Sequence, residues 1–288
     1  MSTSLFLFVL ISATLHATWN FVARRTGGNL TISWWSLWIS CLFLLPFVLN
    51  VAATQGILEF VDMLSVGWWY ILATGIIHTI YFWLLARAYK FGEISIVYPI
   101  ARGSGIGLTG FLGWLILDEN LNLPGIIGIG SICLGIFCIA FPLVKQTNSV
   151  KKGLISALGV GATIVSYSLI DKVGVNIVNP IVYIFGMFFL SGAFLTPFVI
   201  RKNAETLYTQ LKSFWGSAIV ISIGSTGAYL MILFAMTMGK IGYIVALREF
   251  AVAIGVILGF TFLKETITPR KVVALFMIIC GLIFIKFG

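Results

Sequence analysis

Charge is what this sequence has least of. Asp, Glu, Lys and Arg make up 9% of its 288 residues, where a soluble domain carries about 25%. Hydrophobic residues make up 60% and the mean hydropathy is +1.08. A larger globular core does not account for such a deficit, so water is not the main solvent. The class that fits is an all-α membrane protein.

Cysteine is also scarce. Cys41, Cys133, Cys138 and Cys280 all fall inside apolar runs, which excludes a disulfide framework or a metal cluster and leaves small buried apolar side chains. The chain lacks GxxxxGK[ST], HExxH, paired CxxC and GxSxG patterns. Direct use of ATP, zinc hydrolysis and nucleophile-elbow chemistry are therefore not expected, and no cofactor or metal is implied. Long loops are missing too. The longest connections are 54–66 and 201–212, too short for a separate domain. The N-terminus has no basic leader region or cleavage site, so its first apolar stretch is expected to stay as a helix.

Positive charge is present, with a formal net charge of +9. It lies mostly in short loops between apolar runs, a pattern that suits lipid headgroups and membrane orientation. No basic patch of the kind nucleic acid needs is visible. Ten spans are long enough to cross about 30 Å of hydrocarbon: 4–23, 32–53, 67–88, 94–117, 124–144, 153–172, 180–200, 213–236, 243–263 and 269–287. Gly27-Gly28, Pro124, Pro180 and Pro269 mark several ends.

The chain repeats. ARGSGIGLTGFLGWLILDE at 101–119 aligns with LREFAVAIGVILGFTFLKE at 247–265, placing Arg102 on Arg248, Gly113 on Gly259 and Glu119 on Glu265. ATLHA at 13–17 aligns more weakly with ATIVS at 162–166. Two five-helix halves, 1–148 and 149–288, follow. Five is odd, so the second half enters the membrane inverted, the arrangement of secondary transporters with a midplane site. These halves, the HATWN run at 16–20, the glycine-rich fourth and ninth helices and the Glu-then-Pro exits resemble the drug/metabolite transporter superfamily, specifically its EamA-type ten-helix members. The resemblance covers the whole chain. It implies a central cavity lined by helices 1, 3, 4, 6, 8 and 9, and export or exchange of small metabolites such as amino acids, nucleotide sugars or sugar phosphates.

Polar residues point to the same six helices. Helix 1 carries His16, Trp19 and Asn20 on one face, helix 3 Thr74, His78 and Tyr81, and helix 4 Tyr98 and Arg102. Helix 6 carries Thr163, Ser166 and Tyr167, helix 8 Ser222, Ser225, Thr226 and Tyr229, and helix 9 Tyr243, Arg248 and Glu249. Bland alternatives stand beside these. Serines and threonines commonly bond their own helix, and the aromatics and histidines also serve as packing. Trp34, Trp35, Trp38, Trp68, Trp69 and Trp215 read as interfacial anchors.

The arginines are harder to dismiss, since Arg at a helix centre costs about 2.5–3.5 kcal/mol on insertion scales. On antiparallel helices, helical rise puts Arg102 and Arg248 on opposite sides of the midplane, on the order of 12 Å apart. One alternative pairs Arg102 with Glu249 across the crossing of helices 4 and 9. The other has a guanidinium meeting a planar anion, carboxylate or phosphate, bidentately. In the superfamily's sugar-phosphate carriers, basic residues on these helices bind phosphate, a role the resemblance extends to Arg102 and Arg248. Gly103 and Gly107, with Ala251, Gly255 and Gly259, form small-residue faces for close approach or sliding. Glu119, Glu265, and Asp171 with Lys172 read as structural or solvated helix ends.

The expectation is a secondary transporter of a small organic anion or zwitterion such as an amino acid, carboxylate or organic phosphate, working by alternating access. Glu249, His16 or His78 are candidates for proton coupling, beside plain exchange. A flippase of a lipid-linked substrate and a non-transporting membrane sensor are the alternatives. The expected partners are the substrate and membrane lipids, with a monomer or homodimer in a bacterial inner or plasma membrane. Loops on the side away from the termini hold most of the basic residues, among them Arg24, Arg25, Arg87, Lys145, Arg201 and Lys271, against Lys172, Lys240 and Lys286 on the other. The positive-inside rule puts both termini outside, whereas the family is usually described with both in the cytoplasm.

Overall fold

Backbone polar groups in lipid find no water, so a spanning chain must satisfy them within helices or a closed barrel. The computed structural model, which describes residues 1–27, 29–91, 94–140, 148–263 and 268–288, takes the first course throughout. Its helices are α1 (Thr3–Arg25), α2 (Leu30–Gln55), α3 (Ile57–Phe91), α4 (Ile94–Leu117), α5 (Leu123–Ala140), α6 (Asn148–Gly174), α7 (Pro180–Asn203), α8 (Leu207–Met238), α9 (Ile241–Arg248), α10 (Phe250–Leu263) and α11 (Pro269–Phe287). Among the described residues, seven segments are long and apolar enough to cross a membrane, and Leu123–Cys138 is a shorter apolar helix. The outer surface is apolar, with Leu42, Leu115, Phe276 and Phe287 all exposed, as expected of a lipid-facing wall.

Local chemistry fixes the ends. The Asn29 side chain accepts from Thr31 N at the start of α2. Asn179 caps α7, which opens on Pro180, and Thr268 caps α11, which opens on Pro269. Gly56, at φ 88°, is the single residue between α2 and α3. The 54–66 connection, expected as a loop, is therefore mostly helix. Glu59 and Asp62 end the apolar run but do not lower helix propensity enough to end the helix. The 201–212 connection is likewise helical apart from a 3-10 turn at Ala204–Thr206.

The ninth span departs most from expectation. It is broken into α9 and α10 at Glu249, whose φ −73° and ψ −2° end the first segment. Neither proline nor glycine sits at the joint. The break falls on the two adjacent charged residues.

Helix pairing is set by small residues and hydroxyls. A methyl group on Gly128 of α5 would lie 2.7 Å from the Gly281 carbonyl oxygen of α11, so only glycine allows that approach. Ser12 donates to Ala228 O at 2.7 Å between α1 and α8. Ser40 of α2 bonds Ser222 and Thr226 of α8, each at 2.9 Å. Those two residues are thus helix glue and not cavity lining. Trp34 is buried and donates to Gly192 O at 3.1 Å between α2 and α7, which corrects its reading as an interfacial anchor. Trp69 and Trp215 are exposed. The main pairings are α1 with α8, α3 with α6, α2 with α8, α3 with α7, α2 with α7, α4 with α5, α4 with α6, α4 with α9, and α5 with α11.

Candidate functional site

Polar side chains that the sequence scatters over 230 residues converge midway along the bundle. Arg102 of α4 is 3% exposed and Glu249 1%. Arg102 Nη1 lies 3.1 Å from Glu249 Oε1, the pairing that the crossing of the fourth and ninth spans predicts. Arg102 Nη2 also meets His16 Nε2 of α1. Arg248, at the end of α9, is 1% exposed. Its Nε lies 3.9 Å from the same Glu249 oxygen and its Nη2 donates to Tyr167 OH of α6 at 3.3 Å. The long side chains thus close the separation that helical rise gives the two backbones, and both guanidiniums share one carboxylate oxygen. The break after α9 lets that carboxylate face both.

Beside this cluster lies a cavity of about 580 Å³, its open mouth included. His16 and Trp19 line it from α1, His78, Tyr81 and Phe82 from α3, Tyr167 from α6, Ile221, Ser225 and Tyr229 from α8, and Arg248 from α9. Ser33, Ser36 and Leu37 of α2 and Met187 and Phe188 of α7 complete it. Two corrections follow. The second and seventh spans line the cavity, because α2 and α7 pack together across the bundle. Arg102 does not line it, nor does any described side chain of the fourth span. That guanidinium is turned to Glu249 and His16, and Gly103 and Gly107 face Ile136 and Cys133 of α5.

Other expected residues fall away from the cavity for local reasons. Asn20 donates to His16 O, one turn back on its own helix, at 2.8 Å. Tyr243 bonds Asn122 Oδ1 at 2.8 Å at the far end of the bundle. The side chain of Tyr98, the surroundings of Gly259 and all of Glu265 lie outside the described residues.

The cavity wall is aromatic. The His78 and Tyr167 rings are 4.3 Å apart, His78 and Tyr229 5.5 Å, and Tyr167 and Tyr229 6.0 Å. Among the described residues, Trp19 Nε1 and Arg248 Nε are buried donors with no hydrogen-bond partner. Buried polar groups are nearly always paired, and an unpaired donor costs about 1–3 kcal/mol. Two such donors among the lining of one cavity suit a ligand that brings acceptors.

Asp171 overturns its reading as a solvated helix end. It is fully buried, accepting from Tyr183 OH at 2.8 Å and from Tyr229 OH. Lys172 turns away to Met236 O and Gly239 O at 2.6 and 2.7 Å, and sits 3.8 Å from Glu119. Glu119 keeps its structural reading, since its carboxylate accepts from Ile241 N at 2.9 Å at the start of α9. The available signal for Asp171 was its place one turn after Tyr167 on the same face.

The sequence profile of the EamA-like transporter family matches residues 3–141 and again 151–287. The chain is 38% identical over 71 residues to the multidrug transporter EmrE of Escherichia coli (strain K12), covering 25% of this chain and 64% of that protein. It is 35% identical over 68 residues to the quaternary ammonium compound-resistance protein QacG of Staphylococcus sp. (strain ST94), covering 24% and 64%. The matched segment thus spans just under two thirds of each of these relatives. A solved crystal structure superposes with TM-score 0.75 at 14% identity, over 99% of this chain and 96% of the other, which shows a common fold. With its run of apolar helices and the family match over both halves, the chain is a multi-pass integral membrane protein of the EamA-like transporter family.

Proposed function

We propose that this protein is a secondary transporter of a small organic anion or zwitterion, an amino acid, carboxylate or organic phosphate, working by alternating access. The observation that carries the reading is a pair of buried donors that make no hydrogen bond, Trp19 Nε1 and Arg248 Nε, on residues lining the cavity, with Arg248 Nε met only by the shared Glu249 oxygen at 3.9 Å. A guanidinium whose Nε makes no hydrogen bond favours a planar anion that accepts two bonds. Arg248 is the substrate-facing arginine in this account, and Arg102 is the resting partner of Glu249. His16, His78, Tyr81, Tyr167, Ser225 and Tyr229 shape the rest of the site.

The halves 1–148 and 149–288 act as inverted repeats in this reading. Helix pairing supports them. Exchanging the first five spans for the second five turns the α1–α8 pairing into α6–α3 and α2–α8 into α7–α3, and leaves α2–α7, α4–α9 and α5–α11 unchanged.

A second reading rests on the aromatic wall, which suits an organic cation through ring quadrupoles. The names of the two relatives, a multidrug transporter and a quaternary ammonium compound-resistance protein, point the same way. Arg248 in the wall opposes it. A thermal-shift screen of purified protein against amino acids, organic phosphates, carboxylates and tetraethylammonium separates the two. The anion reading expects stabilisation by an anion or zwitterion that Arg248→Gln abolishes. Stabilisation by the cation alone, strengthened in Arg248→Gln, refutes it.

A further inference from the structure

The side chains of Asp171, Tyr183 and Tyr229 form a cluster that the charged centre does not use. Asp171 lies on α6, one turn beyond Tyr167, toward the bundle end that holds the chain termini. Lys286 reaches Met1 O at that end, and Asn122 reaches Gly288 O. The cavity extends the other way, to Ser33 near the start of α2. Asp171 thus sits beneath the cavity, between it and the terminal end. Its two oxygens are held from two helices, by Tyr183 of α7 and Tyr229 of α8. The Tyr183 hydroxyl oxygen also lies 3.3 Å from Tyr70 O of α3. Asp171 and Tyr183 together therefore tie α3, α6, α7 and α8 where the cavity stops.

Among the described residues no Lys, Arg or His lies within ion-pair distance of Asp171. Lys172, on the same helix, is spent on two carbonyls and Glu119. His78 bonds Thr74 at 3.0 Å, and Arg248 is engaged with Tyr167 and Glu249. A fully buried carboxylate held only by neutral hydroxyls lacks the countercharge that normally fixes such a group as an anion. One of its donors, Tyr229, belongs to the cavity wall.

We infer that Asp171 is a proton-binding site that latches the closed end of the cavity. This rests on the transporter reading above. The proton enters from the cavity. It joins the Tyr229 oxygen as the Tyr229 hydroxyl proton moves to Asp171 Oδ2. One proton is taken up and no other bond changes. The neutral acid then donates to Tyr229, whose own hydrogen faces the cavity. Protonation thus turns Tyr229 from a donor to Asp171 into a donor to the cavity contents. It also removes the anion that Tyr183 and Tyr229 hold, so the four-helix tie loosens.

The test is infrared difference spectroscopy of the purified protein in lipid nanodiscs, acidic minus alkaline buffer. It needs no substrate, so its failure leaves the anion reading standing and the ligand screen leaves it untouched. The expected result is a buried carboxylic-acid C=O band in wild type, absent in Asp171→Asn and shifted in frequency in Tyr229→Phe. At fixed pH, residues 229–238 exchange amide hydrogens about tenfold faster in Asp171→Asn and in Tyr183→Phe than in wild type. Retention of the band in Asp171→Asn overturns the proton site. Should that variant not fold, an unmoved band in Tyr229→Phe does so. Unchanged exchange in Tyr183→Phe overturns the latch.

Discussion

Glu249→Gln is the sharpest test of how the charged centre is held. Its carboxylate is the countercharge that Arg102 meets at 3.1 Å and Arg248 at 3.9 Å, with all three residues nearly fully buried. The amide keeps the shape and removes the charge, leaving two guanidiniums facing each other. Removing one partner of a buried ion pair costs about 3–5 kcal/mol, since the remaining charge stays desolvated. That is a large share of a net stability of roughly 5–15 kcal/mol. At a few degrees per kcal/mol, the melting temperature in detergent falls on the order of 10 °C. The double variant Arg102→Gln/Glu249→Gln removes one of the two orphaned charges and recovers part of the loss. Intrinsic fluorescence on heating, with gel filtration to confirm folding, reads all three proteins. A Glu249→Gln protein as stable as wild type, or a double variant less stable than the single, refutes the shared-carboxylate account.

Two further outcomes follow from packing and topology. Gly281→Leu forces a side chain into the Gly128 carbonyl, which lies 2.6 Å from where a Cβ would sit. It costs about 1–3 kcal/mol or more through separation of α5 and α11, read as lost thermal stability. Gly216→Leu, with open space at its Cβ position, stays near wild type. In a background with the four native cysteines replaced, the basic-loop bias puts Asn176→Cys outside the cell and Gln210→Cys inside. An impermeant maleimide applied to intact cells labels only the first, and labelling of only the second reverses the orientation.

Much of this architecture is legible in the sequence because lipid makes it so. Helices occupy the described parts of all ten apolar spans, and the prolines at 180 and 269 open helices at their N1 positions. The Arg102–Glu249 pair is readable because a deep guanidinium needs a partner and Glu249 is the acid on the matching helix. A polar residue's partner is harder to read. Ser222 and Thr226 look like cavity residues until Ser40 is seen to take them. Ser36 looks like α2 packing yet lines the cavity. Nearness to a helix end suggests water around Asp171, whereas Tyr183 and Tyr229 from other helices enclose it. The break at Glu249 has no proline or glycine to announce it. It follows from three buried charged groups meeting in space.

The central claim is that Arg248 receives a substrate anion in this cavity. Its most direct measurement is flux into proteoliposomes of the ligand that the thermal screen identifies, compared between wild type and Arg248→Gln at matched incorporation. The account predicts uptake by wild type and a loss of at least tenfold, about 1.4 kcal/mol, in Arg248→Gln, with the variant's melting temperature retained. Equal uptake by the two proteins contradicts it.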